Sequence, residues 1–149
     1  MIILNTSTRS LEVDLAGAVT TNQLSCIVHY TNTTQSGMDS FNTNNTATNN
    51  TTAVTLLSAP PAGGRKLVLG LSIYNADTVN ATVTIQLNDN ATLRTIVSVT
   101  LSSGDTLIYS QQGGWYAINS SGTIKSAGSF TDINSLSDVV ITSPAIGAT

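Results

Sequence analysis

Residues 71–92, "LSIYNADTVNATVTIQLNDNAT", alternate apolar and polar side chains on both sides of a cluster rich in Asn and Asp. Alternation with a period of two is typical of a half-buried β-strand, and Asn and Asp favour turns. The stretch therefore predicts two neighbouring antiparallel strands joined by a turn. The apolar residues that share one face, and that we expect in a core, are Leu71, Ile73, Val83, Ile85 and Leu87.

The same period of two recurs along most of the chain. It places Leu67 and Leu69 on the same face as Leu71 and Ile73, and it continues after residue 92 through short segments separated by "SSGD" and "QQGG". No segment has a sustained helical period, and Pro60 and Pro61 exclude a helix through "LLSAPPAGG". The sequence predicts an all-β fold of about eight or nine strands arranged as an antiparallel meander. We expect a β-sandwich or jelly-roll-like domain over residues 1–120.

Two segments depart from this pattern. Residues 31–52 are rich in Thr and Asn and predict a long exposed loop. Residues 121–149 contain apolar side chains but no hairpin partner, which predicts an extended C-terminal arm that orders against another subunit. The expected oligomer or shell contacts of this arm are its larger apolar residues, Phe130, Ile133, Leu136, Val139, Val140 and Ile141. The segment 1–15 is a second candidate for such contacts.

The composition limits the function classes. Charged residues make up only 9% of the chain, whereas 24 Thr, 18 Ser and 14 Asn supply most of its polarity. The net charge of −3 and five cationic residues argue against nucleic acid as a partner. No run is long and apolar enough for a membrane helix, and the N-terminus is too quickly polar for a signal peptide, so we expect synthesis in the cytoplasm.

Candidate catalytic and metal-binding residues are few. The single cysteine, Cys26, alternates with apolar neighbours and predicts a buried free thiol. The single histidine, His29, precedes the polar segment and predicts a surface or interface position. No "GxSxG" elbow supports a serine nucleophile. The sequence therefore predicts no enzyme, no cofactor and no metal.

The carboxylates occur mostly where turns are expected. Asp77, Asp89 and Asp105 lie in clusters of Asn, Ser and Gly and are predicted to close turns by bonding to their own backbone. A calcium site at residues 88–90 is a weaker alternative, because the spacing does not match an EF-hand loop. Glu12 and Asp14 share one face of a strand, where we expect them to point to solvent.

Two short motifs invite a binding function. "PPAGGRK" contains glycines and ends in Lys66, but its spacing is wrong for a phosphate loop, so Arg65 and Lys66 are predicted to be a solvated strand end. Trp115 and Tyr116 follow "QQGG" and could stack on a sugar. We favour instead a strand whose Trp115 closes one end of the core.

The turn and strand motifs "LLSAP", "SIYNADT", "VTIQLND", "VTLSSGDTL" and "GGWYAINSSGTIK" resemble a β-domain of tailed-bacteriophage virion proteins. This family includes capsid decoration (cement) proteins and head- or tail-fibre proteins. The opening "IILNTSTRSLEVDLAGAVTTNQL" is similar to the start of such proteins, and "LSDVVITSPAIG" is similar to the connector that precedes a fibre in longer relatives.

The resemblance implies a structural virion protein, a homotrimer that binds the major capsid protein on the outer surface of the head. The sequence ends at Thr149 without repeats or a receptor-binding tip, which favours a decoration protein that stabilises the shell. The alternative is the virion-anchored base of a fibre that takes part in recognition of a host or a glycan.

Overall fold

The fold is known from a computed structural model that describes residues 1–34 and 37–125. These residues contain strands and no helix, as predicted. The ten strands are β1 (Ile2–Leu4), β2 (Arg9–Leu15), β3 (Ser25–Thr34), β4 (Gly37–Ala47), β5 (Val54–Leu57), β6 (Arg65–Tyr74), β7 (Ala81–Asp89), β8 (Thr92–Leu101), β9 (Thr106–Ser110) and β10 (Gly114–Ile118).

The strands form two antiparallel sheets that pack together as a β-sandwich, which confirms the predicted fold class. The first sheet has the order β10-β9-β6-β3-β4, with β1 paired to the end of β6 that β9 does not reach. The second sheet has the order β5-β2-β7-β8. The two sheets enclose one core of buried aliphatic side chains.

The stretch at residues 71–92 is not the hairpin that its pattern predicts. Its two strands, β6 and β7, belong to different sheets, so residues 75–80 carry the chain across the end of the sandwich. The expected core residues nevertheless face inward: Leu71, Ile73, Val83 and Ile85 are buried, and Leu87 packs against them. The chain as a whole alternates between sheets and is not a simple meander.

The prediction of a long loop over residues 31–52 is wrong for most of that segment. Strands β3 and β4 pair from Ser25 with Ala47 to Thr34 with Gly37, and together they form a long hairpin at one edge of the first sheet. The many Thr and Asn side chains suit this edge, because the outer side of β4 pairs with no other strand among the described residues and its polar groups can bond to water.

A β-bulge reverses the side-chain alternation within β6. His29 pairs with Gly70 and Tyr30 pairs with Val68, which leaves Leu69 as an extra residue. Val68 is therefore fully buried, and Leu67 points outward, opposite to the prediction from the sequence pattern. A second register shift, between β7 and β8, also reverses the alternation of side chains. On β8, Val99 and Leu101 are buried, whereas Leu93 lies beyond the shift and is 55% exposed.

Two buried polar side chains organise the connection from β6 to β7. Asn75 is fully buried, and its amide donates to the carbonyl oxygens of Val79 and Leu101. Asp77 is 1% exposed, and its carboxylate accepts from the backbone N–H groups of residues 20–22 and of Thr78. These hydrogen bonds hold the pKa of Asp77 below its usual range. Asp77 therefore joins two loops, which goes beyond the predicted closure of its own turn.

The other two predicted turn carboxylates differ from each other. Asp105 accepts from the N–H of Ser102 and so closes its turn as predicted, and it also pairs with Lys125. Asp89 instead binds the guanidinium of Arg9 and the hydroxyl of Thr8, which lowers its pKa. The turn after β7 is closed by a bond from the N–H of Ala91 to the side chain of Asn88, so the prediction for Asp89 is wrong.

We predict that Asp77→Asn lowers the Tm by several degrees at neutral pH, because a neutral amide accepts these four N–H bonds less strongly than a carboxylate. The folded pKa of Asp77 is lowered, so its contribution to stability is present above the unfolded pKa of about 3.9 and is lost as pH falls through the folded pKa. The Tm difference between wild type and variant should therefore narrow below about pH 4.

The matched control for Asp77→Asn is Asp39→Asn, which removes the same charge from an exposed position on β4. Calorimetry at several pH values between about 2 and 7 measures the Tm of both variants. An Asp77→Asn protein as stable as the Asp39→Asn protein at neutral pH would contradict the structural role of Asp77.

We predict that Cys26 is inert in the native protein. Its side chain is 1% exposed, and burial raises the pKa of the thiol to about 12, so the reactive thiolate is scarce at pH 8. A chromogenic disulfide reagent should react on the order of 100-fold faster after unfolding in guanidinium, because reaction of the native protein requires opening of the core. Equal rates in the two states would show that the thiol is accessible.

Candidate interaction surface

The outward face of the first sheet is the candidate functional surface. Register between the strands aligns its side chains in rows, because residues paired across neighbouring strands point to the same face. One row joins Tyr116, Ile108, Ser72, Ile27 and Asn45 from β10 to β4. Their chain neighbours, such as Leu107, Tyr109 and Ile73, are buried in the core, which places this row outside.

The two flanking rows complete the surface that we call the uncharged face. One row consists of Ile118, Thr106, Tyr74, Ser25 and Ala47, and the other of Gly114, Ser110, Gly70, His29 and Thr43. None of these fifteen positions carries Asp, Glu, Lys or Arg. The larger side chains in these rows are instead isoleucines and tyrosines, and Tyr74 is 46% exposed.

The apolar character continues beyond the bulge. Ile3 of β1 pairs with Leu67, which pairs with Thr31, and Thr31 pairs with Phe41 of β4. Phe41 is 74% exposed, although an exposed phenylalanine gives up the free energy of burying a large apolar ring. Thr31 is fully buried, so Ile3 and Leu67 on one side of it and Phe41 on the other form two separate apolar patches at this end of the sheet, outside the uncharged face.

The outward face of the second sheet has a different chemistry. Hydroxyl pairs bridge its strands, from Thr82 to Thr100 at 2.8 Å and from Thr84 to Ser98 at 3.1 Å. Glu12 accepts hydrogen bonds from Asn88 at 2.8 Å and from Ser10. This face therefore presents polar groups that are partly satisfied by each other, and the two outer faces of the sandwich are unlike.

The chain leaves the described part of the structure beside the uncharged face. After β10 it turns, and Ile124 forms a bridge with Ile118 while the N–H of Lys125 donates to the carbonyl of Ala117 at 2.8 Å. Residues 124–125 therefore lie along β10, at an edge of the first sheet. Ile124 is 49% exposed.

Several predicted site residues lie on or near this surface. His29 is exposed on the uncharged face, where its Nδ1 lies 3.0 Å from the hydroxyl of Thr43. Trp115 packs on Tyr109 with ring centroids 4.9 Å apart, against the core as predicted. Tyr116 pairs with Ile108 and points the opposite way. The two aromatic residues therefore do not form one stacking platform for a sugar.

Two predictions about charged residues need correction. Glu12 and Asp14 lie on the outward face of β2, but Glu12 is only 9% exposed and bonds to Asn88 and Ser10, whereas Asp14 is half-buried. Lys66 is also 9% exposed and is not a solvated strand end: its Nζ donates to the carbonyl oxygen and the hydroxyl of Ser58, and it lies 5.4 Å from the ring centroid of Tyr30. Burial lowers the pKa of Lys66. Arg65 is exposed, as predicted.

The described residues contain no group of three or more His, Cys, Asp or Glu side chains placed to hold a metal ion. The part of the chain that the structure covers contains no helix, and so none that could span a membrane. The predicted arm anchors Phe130, Ile133, Leu136, Val139, Val140 and Ile141 lie outside the described residues. Their role in contacts stays a prediction, as does the domain boundary at residue 120.

Sequence reasoning missed the uncharged face because it did not assign strands to sheets. The alternation in β9 and β10 shows that Ile108 and Tyr116 oppose the core residues, but it does not show that they share one row with Ile27. The available signal was the scarcity of charge in these strands compared with β2, which carries Arg9, Glu12 and Asp14.

Comparison of the chain with protein-family models, with curated proteins and with solved structures gives no match.

Proposed function

We propose that this protein is a structural component of a tailed-phage virion, a homotrimeric decoration protein that binds the major capsid protein on the outside of the head and stabilises the shell. The observation that carries the proposal is the uncharged face, since an ordered sheet surface with exposed Tyr74 and no Asp, Glu, Lys or Arg in its three rows is typical of a surface that another protein covers. The resemblance of the turn and strand motifs to virion β-domains supplies the virion context.

The use of the carboxylates also supports a structural protein. Asp77 and Asp105 are almost fully buried and bind backbone N–H groups or Lys125, and Asp89 binds Arg9. Glu12 bonds to Asn88 and Ser10. Groups committed to such contacts stabilise loops and strand pairs, and they are poor candidates for proton transfer to a substrate.

We expect the purified protein to bind phage heads that lack it and to raise the temperature at which they rupture, because a ligand that binds only the assembled shell stabilises it by mass action. Co-sedimentation measures binding, and release of packaged DNA on heating measures rupture. Heads from a phage that encodes this chain are the required partner. Absence of binding at micromolar protein would rule out the decoration role.

The oligomer has a separate test. We predict that Ile108→Glu, in the centre of the uncharged face, weakens self-association by at least about tenfold, because an unpaired carboxylate is costly to bury in an interface. The matched control is Thr84→Glu on the outward face of the second sheet, which adds the same charge at a central strand. Analytical ultracentrifugation distinguishes monomer from trimer. Equal association constants for the two variants would exclude the uncharged face as the contact.

A further inference from the structure

The uncharged face needs a partner of matching chemistry. Its rows carry Ile27, Ile108, Ile118, Tyr74 and Tyr116 among small polar residues, without a cation or an anion to specify a charged ligand. An apolar, weakly charged polypeptide fits such a surface better than a nucleic acid or an acidic peptide.

The chain itself supplies a segment of this kind. Residues 126–149 contain no Lys or Arg and only two carboxylates, Asp132 and Asp138. Their larger apolar residues are Phe130, Ile133, Leu136, Val139, Val140, Ile141 and Ile146. We propose that residues 126–149 dock on the uncharged face of the first sheet.

The position of Lys125 supports this assignment. Ile124 and Lys125 run along the outer side of β10, and Ile124 pairs with Ile118, which is itself part of the uncharged face. The ammonium of Lys125 pairs with Asp105, which anchors the last described residue of the chain at this edge. The segment thus begins within one strand spacing of the surface that it covers.

The length of the segment is sufficient. The outer strands β10 and β4 are four strand spacings apart, roughly 19 Å at about 4.8 Å per spacing. An extended chain covers about 3.3 Å per residue, so about six residues cross the sheet once. The 24 residues after Lys125 can therefore cross the face and return. Residues 126–149 are long enough for this whether they belong to the same copy or to an adjacent one. The inference does not rest on the proposed role of the protein in a virion.

Cross-linking of the full-length protein tests the docking. Ser72→Cys places a thiol in the central row of the uncharged face, and it is combined in turn with Phe130→Cys, Leu136→Cys or Val139→Cys. Native Cys26 is retained because it is buried, and the reaction with a short bismaleimide is quenched before denaturation. We expect at least one pair to cross-link. The control pairs replace Ser72→Cys with Thr84→Cys on the other sheet and should not react.

The electrophoretic mobility of the cross-linked product shows whether the segment and the face that it covers belong to the same copy of the chain. An intermolecular product supports docking and also the homotrimer of the proposed function. An intramolecular product supports docking but contradicts exchange of the segment between subunits. Failure of all three Ser72→Cys pairs, or equal reaction of the Thr84→Cys pairs, would overturn the inference, whatever the result of the experiment with phage heads.

A second measurement does not depend on the choice of cross-linked pair. The combined substitution Leu136→Asp and Val140→Asp should raise the rate at which a polar maleimide labels Ser72→Cys by at least about tenfold, because two carboxylates disfavour docking on an apolar surface. Labelling of Thr84→Cys should not change. An unchanged rate at Ser72→Cys would show that the segment does not cover the face.

Discussion

The crossing from β6 to β7 is the constraint on which the rest of the structure depends. In six residues the chain leaves the first sheet and enters the second, and the crossing buries Asn75 and Asp77. Buried polar groups are stable only when their hydrogen bonds are made, and Asp77 meets this condition with four backbone N–H groups. Ser103 donates to the carbonyl of Asp77, so the loop between β8 and β9 is held at the same end.

This crossing determines which side chains face outward. Because β6 stays in the first sheet, Ser72 and Tyr74 lie next to Ile108 of β9 and Ile27 of β3, and they form the uncharged face. If β6 and β7 were a hairpin in one sheet, Tyr74 would instead neighbour the Thr-rich strands β7 and β8. The uncharged face is therefore a result of long-range strand pairing. The connection that makes this pairing possible is local, and it is held by buried polar side chains.

The sequence predicted the fold class and much of the core, because side-chain alternation is a local property. Leu71, Ile73, Val83 and Ile85 are buried for the reason that their pattern indicates. The pattern failed at the bulge, where one extra residue, Leu69, reverses the face of Leu67 and Val68. It failed again for residues 31–52, since polar edge strands and polar loops have similar compositions. The burial of Lys66 depends on a contact with Ser58 that no local spacing encodes.

Hydroxyl-radical footprinting of the native full-length protein tests the central claim, that the uncharged face is covered. Tyr74 and Leu93 are 46% and 55% exposed, and they lie on different sheets. With each oxidation rate normalised to that of the unfolded chain, the account predicts strong protection of Tyr74 and little protection of Leu93. Equal, weak protection of the two residues would show that the face is open to solvent and would contradict the account.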